Sequence, residues 1–283
     1  MRKFILALLS FFNTVCSFST EYHFQVDIKG KGDPLLFIPG IGCSGEAWNS
    51  ITDLLSEKYC CYVVTLNGFA GRSSNEIEVA KIPEEIITFI KKEIKKKPVL
   101  IGHSFGGFLA YAIAAEAGDL LKGVVVVDSY PFYLANLSSS ITVAQAKVQA
   151  DKVRKDVVGM PDSLFIKQQA SLVGLQSASN ENKLKILNWV SKSDKIVYAE
   201  ALEYMLSQDL REKIKAIKPE ILIILCYSAI TGMPQEKIAA NVSVQFGNLP
   251  KHNIQFIEGM HFIILDEPAK IVTLTSEYLK NIK

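Results

Sequence analysis

The segment of this 283-residue chain best suited to nucleophilic chemistry is Gly102-His103-Ser104-Phe105-Gly106, a serine flanked by small residues at the positions of a G-x-S-x-G pattern. The apolar run from Pro98 to Ile101 precedes it and a helix-forming run from Phe108 to Ala117 follows, so Ser104 falls at the apex of a strand, sharp turn and helix. Small neighbours let such a serine adopt a strained backbone and hold its hydroxyl clear of a sheet. Gly107 adds another small residue where the helix must pass close to the strand. A plain glycine-rich turn with a solvated serine is the alternative, and it leaves the strand and helix on either side unexplained.

A serine hydroxyl needs a base within hydrogen-bond reach and a third group to orient that base. Of four histidines, His23 lies on a first strand, His252 in a polar turn, and His103 beside the serine but pointing away from it. His261, after a strand in Glu258-Gly259-Met260-His261-Phe262, is the candidate base. Two donors must face a developing oxyanion. The Phe105 amide, directly after the serine at a helix N-terminus, is one. The second is expected in the loop Pro39-Gly40-Ile41-Gly42, from Ile41 first and Gly42 second.

These residues have to be carried by strands alternating with helices. Tyr22 to Ile28 alternates as an edge strand; Leu35 to Ile38 and Cys61 to Leu66 read as buried strands, and Pro83 opens a helix reaching about Lys97. Gly123 to Val127 is a strand that Asp128 ends, and Glu220 to Leu225 and Ile254 to Ile257 are two more, with helices near Gln235 and from Glu267. Short alternation implies a mostly parallel sheet covered on both faces. From Tyr130 to about Ala216 the chain shows only helical spacing, at Val143 to Val158, Asp162 to Gly174, Glu181 to Ser191 and Lys195 to Ser207. That excursion reads as an inserted helical cap, giving a core of 20–129 and 217–283 and a cap of 130–216.

With 31 basic and 29 acidic residues, the net charge of +2 offers no electrostatic argument for nucleic acid. The lysines between Lys91 and Lys97 suit a solvated helix C-terminus. Arg2 and Lys3 before the apolar stretch Phe4 to Phe12, with Ser17 and Ser19 after it, read as a cleaved secretory leader over residues 1–19, and hence as an exported protein, periplasmic or secreted, with no stable membrane span after cleavage. Cys43, Cys60, Cys61 and Cys226 remain beyond that leader; adjacent Cys60 and Cys61 point to opposite faces of a strand, and burial as small apolar residues suits most of the four. No spacing matches a metal site, so neither metal nor cofactor is expected.

Pro39-Gly40-Ile41-Gly42 with Trp48, Leu66-Asn67-Gly68-Phe69-Ala70-Gly71-Arg72-Ser73, the serine turn, Val127-Asp128-Ser129, and His261-Phe262 with Asp266 and Pro268 together resemble, in content and order, the α/β-hydrolase superfamily. The resemblance implies an α/β fold and a serine hydrolase working through an acyl-enzyme, most often on carboxylic esters, and Ser104 excludes the branches that use an aspartate nucleophile. It also exposes a departure. Many members carry the acid after the strand that is here Glu220 to Leu225, yet Cys226 to Gly232 holds no carboxylate. Asp128, on the strand beside the nucleophile strand, is the preferred acid, Glu236 the next candidate, and a dyad without an acid the third. Phe132, Tyr133, Leu137, Leu172 and Trp189 are candidate linings of an acyl pocket. Acyl transfer or cofactor-free perhydrolysis by the same serine, and a binding protein that has lost turnover, are the competing functions.

Overall fold

Val99 to Ile101, Val124 to Val127 and Ile221 to Ile224 are buried residue by residue, the signature of strands covered on both faces. In the computed structural model, which describes residues 22–74, 77–136, 138–230 and 232–282, the strands are β1 (Phe24–Gly30), β2 (Asp33–Ile38), β3 (Tyr59–Leu66), β4 (Val99–His103), β5 (Gly123–Val127), β6 (Ile221–Tyr227) and β7 (His252–Glu258). The helices are α1 (Asn49–Leu55), α2 (Ile82–Glu93), α3 (Phe105–Ala117), α4 (Val143–Gly159), α5 (Asp162–Gly174), α6 (Asn180–Ser191), α7 (Lys195–Ser207), α8 (Gln235–Phe246), the short α9 (Ile263–Asp266) and α10 (Pro268–Asn281).

The strands form one seven-stranded sheet in the order β1-β3-β2-β4-β5-β6-β7. Only the edge strand β1 runs antiparallel, pairing Phe24 with Leu66 through Gly30 with Cys60. Alternation along the central strands builds two cores. Leu36, Leu100, Val124 and Ile223 face one layer with α2, α3 and α8, while Leu35, Val99, Val125 and Leu222 face the other with α1 and α10. Between β5 and β6 the chain leaves the sheet for the four helices α4 to α7, where the helical insertion was expected. There α4 lies along α7, joined by Arg154 Nε to Glu203 at 3.1 Å, over a small cluster that includes Phe132, Ala146, Ala150 and Leu206. The capping box of Thr142 and Gln145 starts α4.

Several boundaries shift by a residue or two, and three differ for a reason visible in the fold. β6 continues through Cys226 and Tyr227 because they pair with Ile257 and Glu258, a partner no local pattern reveals. β7 starts at His252, which therefore begins a strand rather than sitting in a turn. α2 stops at Glu93, leaving Lys96 in an ion pair with Asp33 at 2.7 Å instead of in a helix's last turn. The expected leader, residues 1–19, lies outside the described residues. No helix among those described is long and apolar enough to cross a membrane. Cys43, Cys60, Cys61 and Cys226 are all free thiols.

Candidate active site

Ser104 sits at φ 54° and ψ −119°, a backbone conformation that L-residues avoid and that costs on the order of 1–3 kcal/mol unless the surroundings hold it. They do hold it. The Ser104 amide donates to Val127 O at 3.0 Å and its carbonyl accepts from Phe108 N at 2.9 Å. The neighbouring glycines are required by proximity: a Cβ on Gly102 would lie 2.2 Å from Gly106 O, and one on Gly106 would lie 2.1 Å from Ile38 O. The turn therefore wedges between β2 and its own helix, with Ser104 at the C-terminal end of the sheet.

Ser104 Oγ lies 2.9 Å from His261 Nε2, and His261 Nδ1 lies 2.6 Å from Asp128 Oδ2. An ionised carboxylate only accepts, so Nδ1 carries the proton and Nε2 is left free to accept from the serine hydroxyl. The other Asp128 oxygen, Oδ1, accepts the Cys226 amide at 3.0 Å, which fixes the carboxylate's plane. Asp128 also has a positive φ of 46°, so the chain bends sharply as it leaves β5. Glu236, the other acid considered, is exposed on the first turn of α8, and the His261 ring bonds Asp128 instead.

Two supports of His261 escaped the sequence reading. His103 is fully buried, and its Nε2 donates to the His261 carbonyl at 2.8 Å, with the two rings 4.8 Å apart. It thus points away from the serine but not from the site. Burial, with His261 nearby, holds the His103 pKa well below the ordinary histidine value, so its ring stays neutral, and among the described residues its Nδ1 has no hydrogen-bond partner. The second support is Asp266. Its carboxylate accepts from Ser177 Oγ at 2.7 Å, Ala178 N at 2.8 Å and Asn182 Nδ2 at 2.8 Å, while Phe262 N donates to Gln176 O at 2.8 Å. The loop between α5 and α6 is thereby tied to the segment directly after His261.

The loop of residues 39–42 lies against the serine, since a Cβ on Gly40 would stand 3.3 Å from Ser104 Cβ. Neither the Ile41 nor the Phe105 amide donates a hydrogen bond among the described residues. Gly42, at φ 70°, is overlaid by the Tyr198 ring of α7, 3.0 Å from where a Cβ would be.

Ser104, Ile41 and His261 open into a cavity of about 200 Å³ closed by cap residues, among them Tyr133, Leu172, Val173, Val190 and Tyr198. Tyr133 and Leu172 were expected there. Phe132 and Trp189 are not lining residues: Phe132 packs beneath the Arg211 guanidinium at 4.8 Å, and the Trp189 indole N–H donates to Glu46 at 3.3 Å. Leu137 lies outside the described residues. Gln169, Tyr198 and Met205 were missed, because helical spacing marks them as cap core and nothing local shows that the core is hollow. A second cavity of about 220 Å³ also touches His261, lined by Asp128, Asn136, Cys226, Ser228 and Met233 and sharing Tyr133 and Gln176 with the first.

The fold is shared with known proteins. Over 244 residues the chain is 25% identical to the pimeloyl-[acyl-carrier protein] methyl ester esterase of Vibrio parahaemolyticus, covering 84% of this chain and 89% of that protein. It is 21% identical to the Aliivibrio salmonicida esterase of the same name over 263 residues, covering 93% and 97%. Among solved structures it resembles a thermophilic esterase from Thermogutta terrifontis, with a TM-score of 0.72 at 18% identity over 94% of this chain and 97% of that one. A bromoperoxidase from Bacillus anthracis superposes with a TM-score of 0.75 at 15% identity over 91% and 95%, a likeness of fold alone. The family model described as the alpha/beta hydrolase family matches residues 35–273, from β2 into α10, and the chain belongs to that family.

Proposed function

We propose that this protein is a serine hydrolase that cleaves a carboxylic ester through an acyl-enzyme. The observation that carries this reading is the continuous relay from Ser104 Oγ through His261 to Asp128, at 2.9 and 2.6 Å, opening into an apolar cavity. His261 Nε2 takes the hydroxyl proton as Ser104 attacks the ester carbonyl, and Asp128 stabilises the imidazolium that forms. The unused amides of Ile41 and Phe105 receive the oxyanion. His261 then protonates the leaving alcohol and activates water for deacylation. The ester chemistry named for the Vibrio and Aliivibrio relatives supports the same reaction type.

A fluorophosphonate probe tests this directly. Ser104 becomes phosphonylated in the native protein, Ser104→Ala does not, and the wild type hydrolyses short p-nitrophenyl esters. An unlabelled Ser104 together with no ester turnover refutes the reading.

A further inference from the structure

The 200 Å³ cavity beside Ser104 mixes apolar side chains with a few polar ones, and one of these is buried in the middle of a helix. Gln169, in the middle of α5, is only 6% exposed, yet it lines this cavity. Its Oε1 accepts from the Tyr198 hydroxyl of α7 at 3.1 Å, and its amide nitrogen donates to nothing among the described residues. A primary amide offers two N–H donors, and here both are free to meet whatever enters the cavity. Tyr198 does not claim one by ionising, because burial raises its phenol pKa far above the ordinary value and keeps the O–H a donor.

Deepening the ester-hydrolase reading and resting on it, we infer that Gln169, oriented by Tyr198, is a specificity-determining residue that hydrogen-bonds a neutral carbonyl oxygen carried on the substrate's acyl chain, away from the carbonyl that Ser104 attacks. The class follows from what lines the cavity. The free Gln169 N–H groups are donors and seek an acceptor, while Gln176 and Tyr133, which also line the cavity, can donate or accept. Among the described residues no lysine or arginine lines the cavity, so an acyl chain ending in a carboxylate would sit there without a counter-charge, which disfavours it. The size follows too: at ~30 Å³ per non-hydrogen atom, the space holds a chain of about seven such atoms. The expected substrate is thus a medium-length keto-acyl or ester-bearing acyl ester, and a plain alkanoate of equal length leaves the amide unmatched.

The test compares kcat/KM for p-nitrophenyl heptanoate, for the oxo-heptanoates with the ketone moved along the chain, and for a carboxylate-ended ester of similar length. The best oxo ester is expected to exceed heptanoate by about tenfold or more, with the carboxylate-ended ester below both. Gln169→Leu, similar in volume, brings the oxo-to-alkyl ratio to about one. Tyr198→Phe, which removes one oxygen, lowers that ratio about threefold by freeing the amide to turn, and serves as the second reading should Gln169→Leu fold poorly. A wild-type ratio near one at every ketone position, or a ratio unchanged in both variants, overturns the assignment while the hydrolase stands. Turnover of none of these esters overturns it as well, and if Ser104 also resists the fluorophosphonate, the hydrolase reading falls with it.

Discussion

Asp128→Asn is expected to lower kcat by about 10⁴-fold, roughly 5.5 kcal/mol of barrier, with little change in stability. The structure decides which way the new amide turns. The Cys226 N–H donates to Oδ1 at 3.0 Å, so an asparagine placing its NH₂ there would set donor against donor at a cost of about 1–3 kcal/mol. The amide therefore presents its oxygen to Cys226 and its NH₂ to His261 Nδ1. That nitrogen must then accept, which moves the imidazole proton to Nε2 and aims it at Ser104 Oγ. The serine loses its base while every heavy atom stays near its place. The assay is steady-state hydrolysis of a p-nitrophenyl ester, with the rate of Ser104 phosphonylation measured in parallel and circular dichroism as the folding control. A loss below tenfold refutes the reasoning, as does a large loss in Glu236→Gln.

Three further outcomes follow from the packing around the site. His103 is held neutral by burial, so below the unfolded-state pKa of about 6.5 the unfolded chain binds a proton that the native state refuses; stability falls with acid by up to ~1.4 kcal/mol per pH unit. His103→Gln keeps a donor to the His261 carbonyl but cannot titrate, and urea unfolding between about pH 5 and 6.5 should show a shallower slope; parallel curves would count against this account. Gly106→Ala forces a Cβ to within 2.1 Å of Ile38 O and should destabilise by about 3 kcal/mol, seen as a lower urea midpoint with loss of labelling at Ser104. Burial pushes the Cys43 and Cys61 thiols up to about 12, so a thiol reagent at neutral pH should modify the half-buried Cys60 first and reach Cys43 and Cys61 only on unfolding.

The serine turn was legible because its constraints are local: Gly102, Ser104 and Gly106 each answer to atoms within a few residues or on the adjoining strand. The strand β5 and the helices α5 and α7 were equally plain, being set by uninterrupted apolar runs or clear helical spacing. His261 could be chosen because only four histidines exist. The remainder depends on contacts between distant parts of the chain. Asp128 could be preferred over Glu236 from its strand, but the Cys226 amide that fixes its carboxylate arrives from β6, ninety-eight residues on. His103 was set aside because its side chain leaves the serine, and only the fold shows that it runs beneath His261. Phe132 and Trp189 misled for a related reason: large apolar residues mark a cap's interior, while the cavity is found where the interior is not filled.

Asp266 has a mechanical consequence. By holding Ser177, Ala178 and Asn182 with one carboxylate, it welds the hairpin of α5 and α6 to the short helix that begins two residues after His261. Any force prising that hairpin outward is transmitted to the imidazole. Opening along this seam is therefore expected to disturb the His261 ring on which the proposed reaction depends. A substrate is then expected to enter elsewhere around the helices, with the Asp266 seam as the fixed jaw of the site.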